Sequence, residues 1–368
     1  MKSLLRLIGI SLVAAALLPA CAAPKKTTPA PRPPYSQRAD VQAWVAEAAQ
    51  RRGMSAHWVA HQLAQARFLP QVPRLMTPAP KATSTAPDWA GYRNRFVEPI
   101  RIRAGVQFWN RHADTLARAE TTYGVPASII VGIIGVETIY GQHMGNLRVL
   151  DTLSTLAFDF PQAHPRAAQR QAYFQGELEQ FLATAWREGT DPGQPLGSYA
   201  GATGLGQFMP SSQEQWAVDF DGDGHIDLMN SVADAIGSVA HYFQAHGWVS
   251  GLPVAYLPVF DAGTLDLPTL LAPDIRPSFT PEAMAALGVT PQDGQQHPGL
   301  LALIELKNGS NPPSYIVGTQ NFYTITRYNW SSYYALAVYE LGQAVAAARE
   351  GRTALPVTPR TAPAGPTP

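Results

Sequence analysis

The chain has a single cysteine among its 368 residues, Cys21, so the body of the protein has no disulfide and no thiol chemistry. It has no excess of charge either: 27 Lys and Arg balance 27 Asp and Glu, for a formal net charge of zero. A nucleic-acid binder normally carries a strong basic surplus, so that class is set aside. A neutral polymer such as a glycan is not. The N-terminal apolar run, residues 7–18, is too short for a comfortable membrane span, and no internal repeat is found. What the chain does have is 46% hydrophobic residues and length enough for two or three packed units.

The N-terminus reads as an export signal, with Lys2 and Arg6 ahead of the apolar run. The run closes on Leu18-Pro19-Ala20-Cys21, which resembles the lipobox of bacterial lipoproteins. That resemblance implies a lipid on Cys21, which holds a protein to a membrane without spanning it. Ala22, where an Asp would favour inner-membrane retention, implies the periplasmic face of the outer membrane. The alternative is an ordinary signal peptide with a chance cysteine.

Beyond the signal peptide (1–21), residues 22–36 are rich in Pro, Ala, Lys and Thr and read as a disordered linker. An N-terminal helical region (37–125) follows, with helical spacing from Val41 to Phe68 and again from Gln107 to Tyr123. The proline-rich residues 70–88 between them read as an extended connector. A helical core is expected over 126–250 and a small β-rich subdomain over 251–325, its β-type runs at 254–260, 301–306, 315–317 and 322–326. A segment and helix (326–350) return to the core before a Pro/Thr/Ala tail (351–368) expected to be disordered. The fold class is mainly α, or α+β.

Two clusters carry chemistry. Pro126 opens a helix at its favoured first position, and the residues that follow are apolar on nearly every face up to Glu137 in the last turn. Burial and the negative end of the helix dipole both raise the pKa of a carboxyl there. A general acid for glycosidic cleavage needs that property. The structural alternative is a Glu paired with a cation such as Arg148. The second cluster, residues 197–211, interleaves Gly201, Gly204 and Gly206 with Ser198, Gln207 and Phe208. Its backbone is open to close approach, but no Gly-Lys-Ser/Thr follows, so it is not a phosphate loop.

Together these motifs resemble the membrane-bound lytic murein transglycosylase B family: Val136-Glu137-Thr138-x-x-Gly141, then Ser198, then Gly204-x-Gly206-Gln207-Phe208-Met209-Pro210-Ser211. The likeness extends to residues 151–158 and 173–178. It implies a lysozyme-like core that cuts peptidoglycan between N-acetylmuramic acid and N-acetylglucosamine and leaves 1,6-anhydromuramyl ends. Carried over by position, Glu137 becomes the acid/base, and Ser198, Gln207 and Phe208 line the sugar sites. Tyr92, Tyr242, Tyr328, Asn329 and Tyr334 become cleft residues, and Arg170 a peptide-contacting arginine. Core packing is the alternative for Tyr328 and Tyr334. Ordinary glycosidases need two carboxylates, whereas the matched motifs supply one. The resemblance therefore implies that the substrate's acetamido and 6-hydroxyl groups do the remaining work.

A third constellation, Asp219-x-Asp221-x-Asp223-Gly224-His225-x-Asp227, reads as the start of an EF-hand-type calcium loop. His225 would offer its backbone carbonyl. Asn230 occupies the position of the usual closing Glu, and the family's longer loop makes Asp234 the expected closing ligand. The Ca2+ would be structural, and the alternative is an Asp/Gly turn without metal. Two other functions share some of these features. One is a lysozyme-like hydrolase of the same core, the other a non-catalytic wall-binding protein. Peptidoglycan strands and the outer membrane are the expected partners.

Overall fold

The computed structural model describes residues 32–78, 87–353 and 357–363; Cys21 and the signal peptide lie outside them. After a 3-10 turn at Tyr35–Gln37 come α1 (Ala39–Arg52), α2 (Ala56–Gln65) and the short α3 (Gln71–Met76). Gly53, at φ 64°, ends α1 in the left-handed conformation that closes many helices, so the 41–68 pattern is two helices. The connector expected at 70–88 contains α3, and the linker expected to run to residue 36 already includes the buried ring of Tyr35.

Next are α4 (Trp89–Phe96), α5 (Pro99–Arg111), α6 (Ala113–Tyr123) and α7 (Ala127–Thr138). The single helix expected over 107–123 is interrupted at His112, whose φ of −117° and ψ of 27° are not helical. Pro126 stands one residue outside α7, at its N-cap, and not at the first helical position. Ten of the twelve α7 residues are buried. No single described helix is long and apolar enough to cross a membrane, and α7 is a core helix.

A two-residue ribbon pairs β1 (Leu147–Arg148) with β2 (Leu196–Gly197); α8 (Val149–Phe158) and α9 (Ala167–Glu188) lie between them. Then follow α10 (Pro210–Trp216), α11 (Val232–Ala245), β3 (Ala255–Tyr256), β4 (Pro258–Phe260), α12 (Leu267–Leu271), α13 (Pro281–Ala286) and β5 (Val289–Pro291). The chain closes with β6 (Ala302–Asn308), β7 (Asn311–Gly318), α14 (Gln320–Asn329), α15 (Ser332–Arg349) and β8 (Arg360–Thr361). β7 is the centre of an antiparallel sheet, paired along its length with β6 and, at different residues, with β3 and β8; β4 pairs with β5. Part of the tail expected to be disordered is therefore a strand, with Arg360 reaching Pro258 and Gln292.

The run 322–326, expected as β, lies inside α14. The Thr319 hydroxyl accepts the Asn321 N–H and caps the helix. Phe322 and Ile325, three residues apart, are both fully buried on one face. The β-branched Thr324 and Thr326 fit because their hydroxyls bond back to the carbonyls of Gln320 and Tyr323.

Three apolar clusters result. The first surrounds α7 with α5, α6, α11, α14 and α15; the second joins α1–α3 to α8 and α9; the third lies on the sheet under α12 and α13. The residues expected as one N-terminal region, 37–125, divide between the first two. So do those expected as one core, 126–250. The crossing of α7 and α15 is close: a Cβ on Gly132 would overlap the Val338 carbonyl, and one on Gly342 the Ser128 carbonyl. That approach brings the start of α15 against the end of α7.

Candidate active site

Glu137 sits where α7 ends, at the edge of the first cluster. Thr138, fully buried beside it, donates from Oγ1 to the Leu205 carbonyl at 2.9 Å and accepts the Gly141 N–H at 3.0 Å. The chain then turns sharply through Ile139, Tyr140 and Gly141, at φ 50°, 56° and 90°. A left-handed β-branched residue costs roughly 1–2 kcal/mol, so packing must hold it. The Tyr140 ring does this by lying against Phe108, its hydroxyl wedged between α5 and α7 where a Cβ on Gly105 or Gly135 would overlap it. That hydroxyl is buried with no hydrogen-bond partner among the described residues.

α15 supplies the group that faces Glu137. Tyr334 Oη donates to Glu137 Oε1 at 2.5 Å. Burial raises the Glu137 pKa to about 7, and the tyrosine's hydrogen bond pulls only part of the way back. Tyr334 is itself buried, and its own pKa is pushed well above 10 by burial and then by the Glu137 charge. It remains a donor at any physiological pH. Tyr92 and Tyr328 feel the same charge, so three tyrosines from α4, α14 and α15 converge on one carboxyl.

No second carboxylate among the described residues acts on Glu137. Asp159 is gripped by Tyr35 and by both contacts of the Arg38 guanidinium in the second cluster. Asp191 closes a turn onto Gly193 and Gln194. Arg148, the cation considered as a structural partner for Glu137, points instead to Asp151 at 3.8 Å.

The glycine-rich segment lies alongside. Thr203 and Phe208 exchange both backbone hydrogen bonds around a tight turn, and Gln207, at φ 53°, donates its amide to the carbonyls of Met144 and Gly204. Its side-chain oxygen is left as an acceptor. The Ser198 hydroxyl accepts the N–H groups of Ala200 and Ala202, so its proton remains to be donated. Tyr328 Oη donates to the Gly206 carbonyl at 2.5 Å and its ring lies parallel to that of Tyr334. Asn329 is exposed at the end of α14.

Other expected positions fall differently. Phe208 and Tyr242 are only 3% and 7% exposed, and both rings meet that of Tyr328 edge-on; Tyr242 Oη donates to the Arg327 carbonyl. Arg170 lies over the rings of Tyr173 and Phe174 on α9, in the second cluster. Sequence reading missed Thr138 and Tyr140, although both sit beside Glu137.

In the acidic loop, Asp219, Asp221 and Asp223 each place a carboxylate oxygen within 4.8 Å of the others. This is a hard-oxygen donor set suited to Ca2+. His225 is exposed, its N–H on Asp223. Asp234, 1% exposed, turns its carboxylate inward to the backbone N–H groups of Phe220, Asp221 and Asp227. It fastens the loop and stands apart from the three converging carboxylates.

A family model described as the transglycosylase SLT domain matches residues 36–343. The chain belongs to this family. Its SLT relatives include the membrane-bound lytic murein transglycosylase B of Escherichia coli K12, 44% identical over 321 residues, which are 86% of this chain and 85% of that protein. The E. coli lytic transglycosylase Slt35, whose structure was solved in complex with calcium, aligns with a TM-score of 0.73 at 44% identity, covering 86% of this chain and 94% of that one. The soluble lytic transglycosylase SltB1 of Pseudomonas aeruginosa gives 0.73 at 40% identity, over 84% and 99%. The fold is thus the lysozyme-like one of SLT transglycosylases, with Glu137 at the junction of α7, α15 and the glycine-rich turn.

Proposed function

We infer that this protein is a lytic transglycosylase that cuts peptidoglycan between N-acetylmuramic acid and N-acetylglucosamine, with Glu137 as its sole acid/base. The observation that carries the reading is a carboxyl raised to about 7, held by a tyrosine and isolated from other carboxylates. Protonated, Glu137 gives its proton to the bridging oxygen as the bond to the muramyl anomeric carbon breaks. The substrate's acetamido oxygen stabilises that carbon. The Glu137 carboxylate then takes the proton of the 6-hydroxyl as its oxygen bonds to the anomeric carbon, closing the anhydro ring and restoring the acid. No water is consumed. Ser198, Gln207, Tyr92, Tyr328 and Asn329 hold the sugars, and Phe208 and Tyr242 pack against Tyr328.

Ca2+ is held by Asp219, Asp221 and Asp223 and has a structural role, because no step above requires it. One relative is named membrane-bound. With Cys21 directly after the apolar run, the same reading makes this chain a lipoprotein of the outer membrane's periplasmic face. Digestion of purified sacculi tests the activity: muropeptides one water lighter than the reducing products are expected. Reducing ends alone would make the enzyme a hydrolase, and binding without cleavage would make it a wall-binding protein.

A further inference from the structure

The stripe of α15 that meets α4 carries Tyr333 and, two turns on, Glu340. Across from it, α4 presents Trp89, Tyr92 and Arg93, which lie at helical spacing on one face. Three contacts close this seam. The rings of Trp89 and Tyr92 meet that of Tyr333 edge-on at 5.9 and 5.7 Å, and Arg93 Nε donates to Glu340 Oε2. The Glu340 side chain is 3% exposed and that of Arg93 27%, so the pair is largely out of water. Glu340 Oε1 is buried with no hydrogen-bond partner among the described residues. Two apolar side chains of similar size often pack in such a place at no cost in stability, or with a gain. What the ion pair adds is direction: one guanidinium nitrogen must meet one carboxylate oxygen.

The eight-residue α4 brings Tyr92 to the cleft. Tyr92 touches Tyr333, and the next residue, Tyr334, donates to Glu137 Oε1. We propose that Arg93 and Glu340 are positioning residues: their ion pair sets the register of α4 on α15 and so places Tyr92 for the glycan, an inference that rests on the reading of Tyr92 as a sugar contact. A shift of α4 along α15 by one residue is about 1.5 Å, enough to carry the Tyr92 hydroxyl out of hydrogen-bond range of a ligand. The aromatic contacts alone would tolerate that shift, since ring pairs are favourable over centroid separations of roughly 4.5–7 Å. Tyr334 faces α7 and keeps its bond to Glu137. The pair therefore acts on binding and leaves the proton transfer alone.

The test uses the full chain acting on purified glycan strands. Arg93→Met combined with Glu340→Met replaces the ion pair by apolar groups of similar size. KM rises roughly two- to tenfold, within the coupling range of residues in one network. kcat and the alkaline limb of the pH–rate profile stay in place, and the melting temperature does not fall. Glu340→Gln, which keeps an acceptor for the guanidinium, retains the wild-type KM. Tyr92→Ala raises KM by itself, and adding the paired substitution to it changes KM no further. An unchanged KM in the paired variant, a further rise on top of Tyr92→Ala, or a lower kcat with a displaced alkaline limb would each overturn the proposal. A lower melting temperature in the paired variant would make the ion pair a stabilising contact and overturn it as well. Tyr92→Ala with a wild-type KM would remove Tyr92 from the glycan, and the proposal with it, while wild-type enzyme yielding no anhydro ends would overturn the activity itself.

Discussion

Thr138 Oγ1 donates to the carbonyl of Leu205 across 67 residues of chain, and this one bond fixes the end of the helix that carries Glu137 to the glycine-rich turn. Thr138→Val keeps the shape and removes the bond, leaving buried backbone groups of Leu205 and Gly141 short of a partner. The expected cost is about 1–3 kcal/mol in unfolding free energy. A fall in kcat with KM for glycan fragments little changed would register the displaced Glu137. Steady-state kinetics and thermal melts measure both.

Glu137→Gln keeps shape and hydrogen bonding but cannot donate and recover a proton. General acid/base work is worth roughly a hundredfold to ten-thousandfold, and one group serving both steps puts the loss at the upper end or beyond. Fragment binding should survive. Stability moves the other way. The folded pKa, about 7, lies above the unfolded 4.5, so the folded state holds the extra proton and stability falls as pH rises from 4.5 through about 7. The shift corresponds to about 3 kcal/mol. Above pH 7 the variant should therefore melt higher than wild type, and at pH 4 the two should coincide. Asp159→Asn is the control: its grip on Arg38 and Tyr35 predicts a lower melting temperature with most activity retained.

Tyr334→Phe removes a donor that favours the charged carboxylate, so the Glu137 pKa should rise further. Activity requires the protonated acid and declines above its pKa. The alkaline limb of the pH–rate profile should move to higher pH, and an unmoved limb would detach Tyr334 from the proton.

Chelation should lower the melting temperature, and Asp223→Ala should do so in the presence of calcium. One bound ion at a hundredfold excess over Kd adds roughly 2.7 kcal/mol. A melting curve indifferent to a calcium titration would remove the metal from this loop.

Cys21→Ser should release the protein from the outer membrane as soluble periplasmic material, or leave it uncleaved. A variant still found with the outer membrane after normal processing would refute the lipid anchor. Membrane fractionation with intact-mass analysis decides.

Much of this was legible in the chain. The apolar run of α7 announces a buried helix with one carboxyl near its end, and the alternating aspartates announce three carboxylates that converge in one loop. Both signals are local in sequence. What stayed hidden depends on contacts between distant segments. Tyr334 looks like any core aromatic until α15 crosses α7, 197 residues from Glu137 along the chain. The split of residues 37–125 between two clusters follows from which helix buries which face, and periodicity records only that a face is buried. Asp234 matched a ligand position, yet it became the loop's fastener because its side chain points inward from the first turn of α11.

The glycines at the α7–α15 crossing make the spacing of acid and tyrosine a property of two backbones. A methyl group added at Gly132 or Gly342 meets a carbonyl that cannot step aside, so the helices themselves must part. Tyr334 would then leave hydrogen-bond range of Glu137 although no cleft side chain had changed. Loss-of-function substitutions in this enzyme should accordingly cluster along a buried helix seam as well as around the sugar groove. A screen confined to surface-lining residues would overlook this backbone control of the spacing between Glu137 and Tyr334.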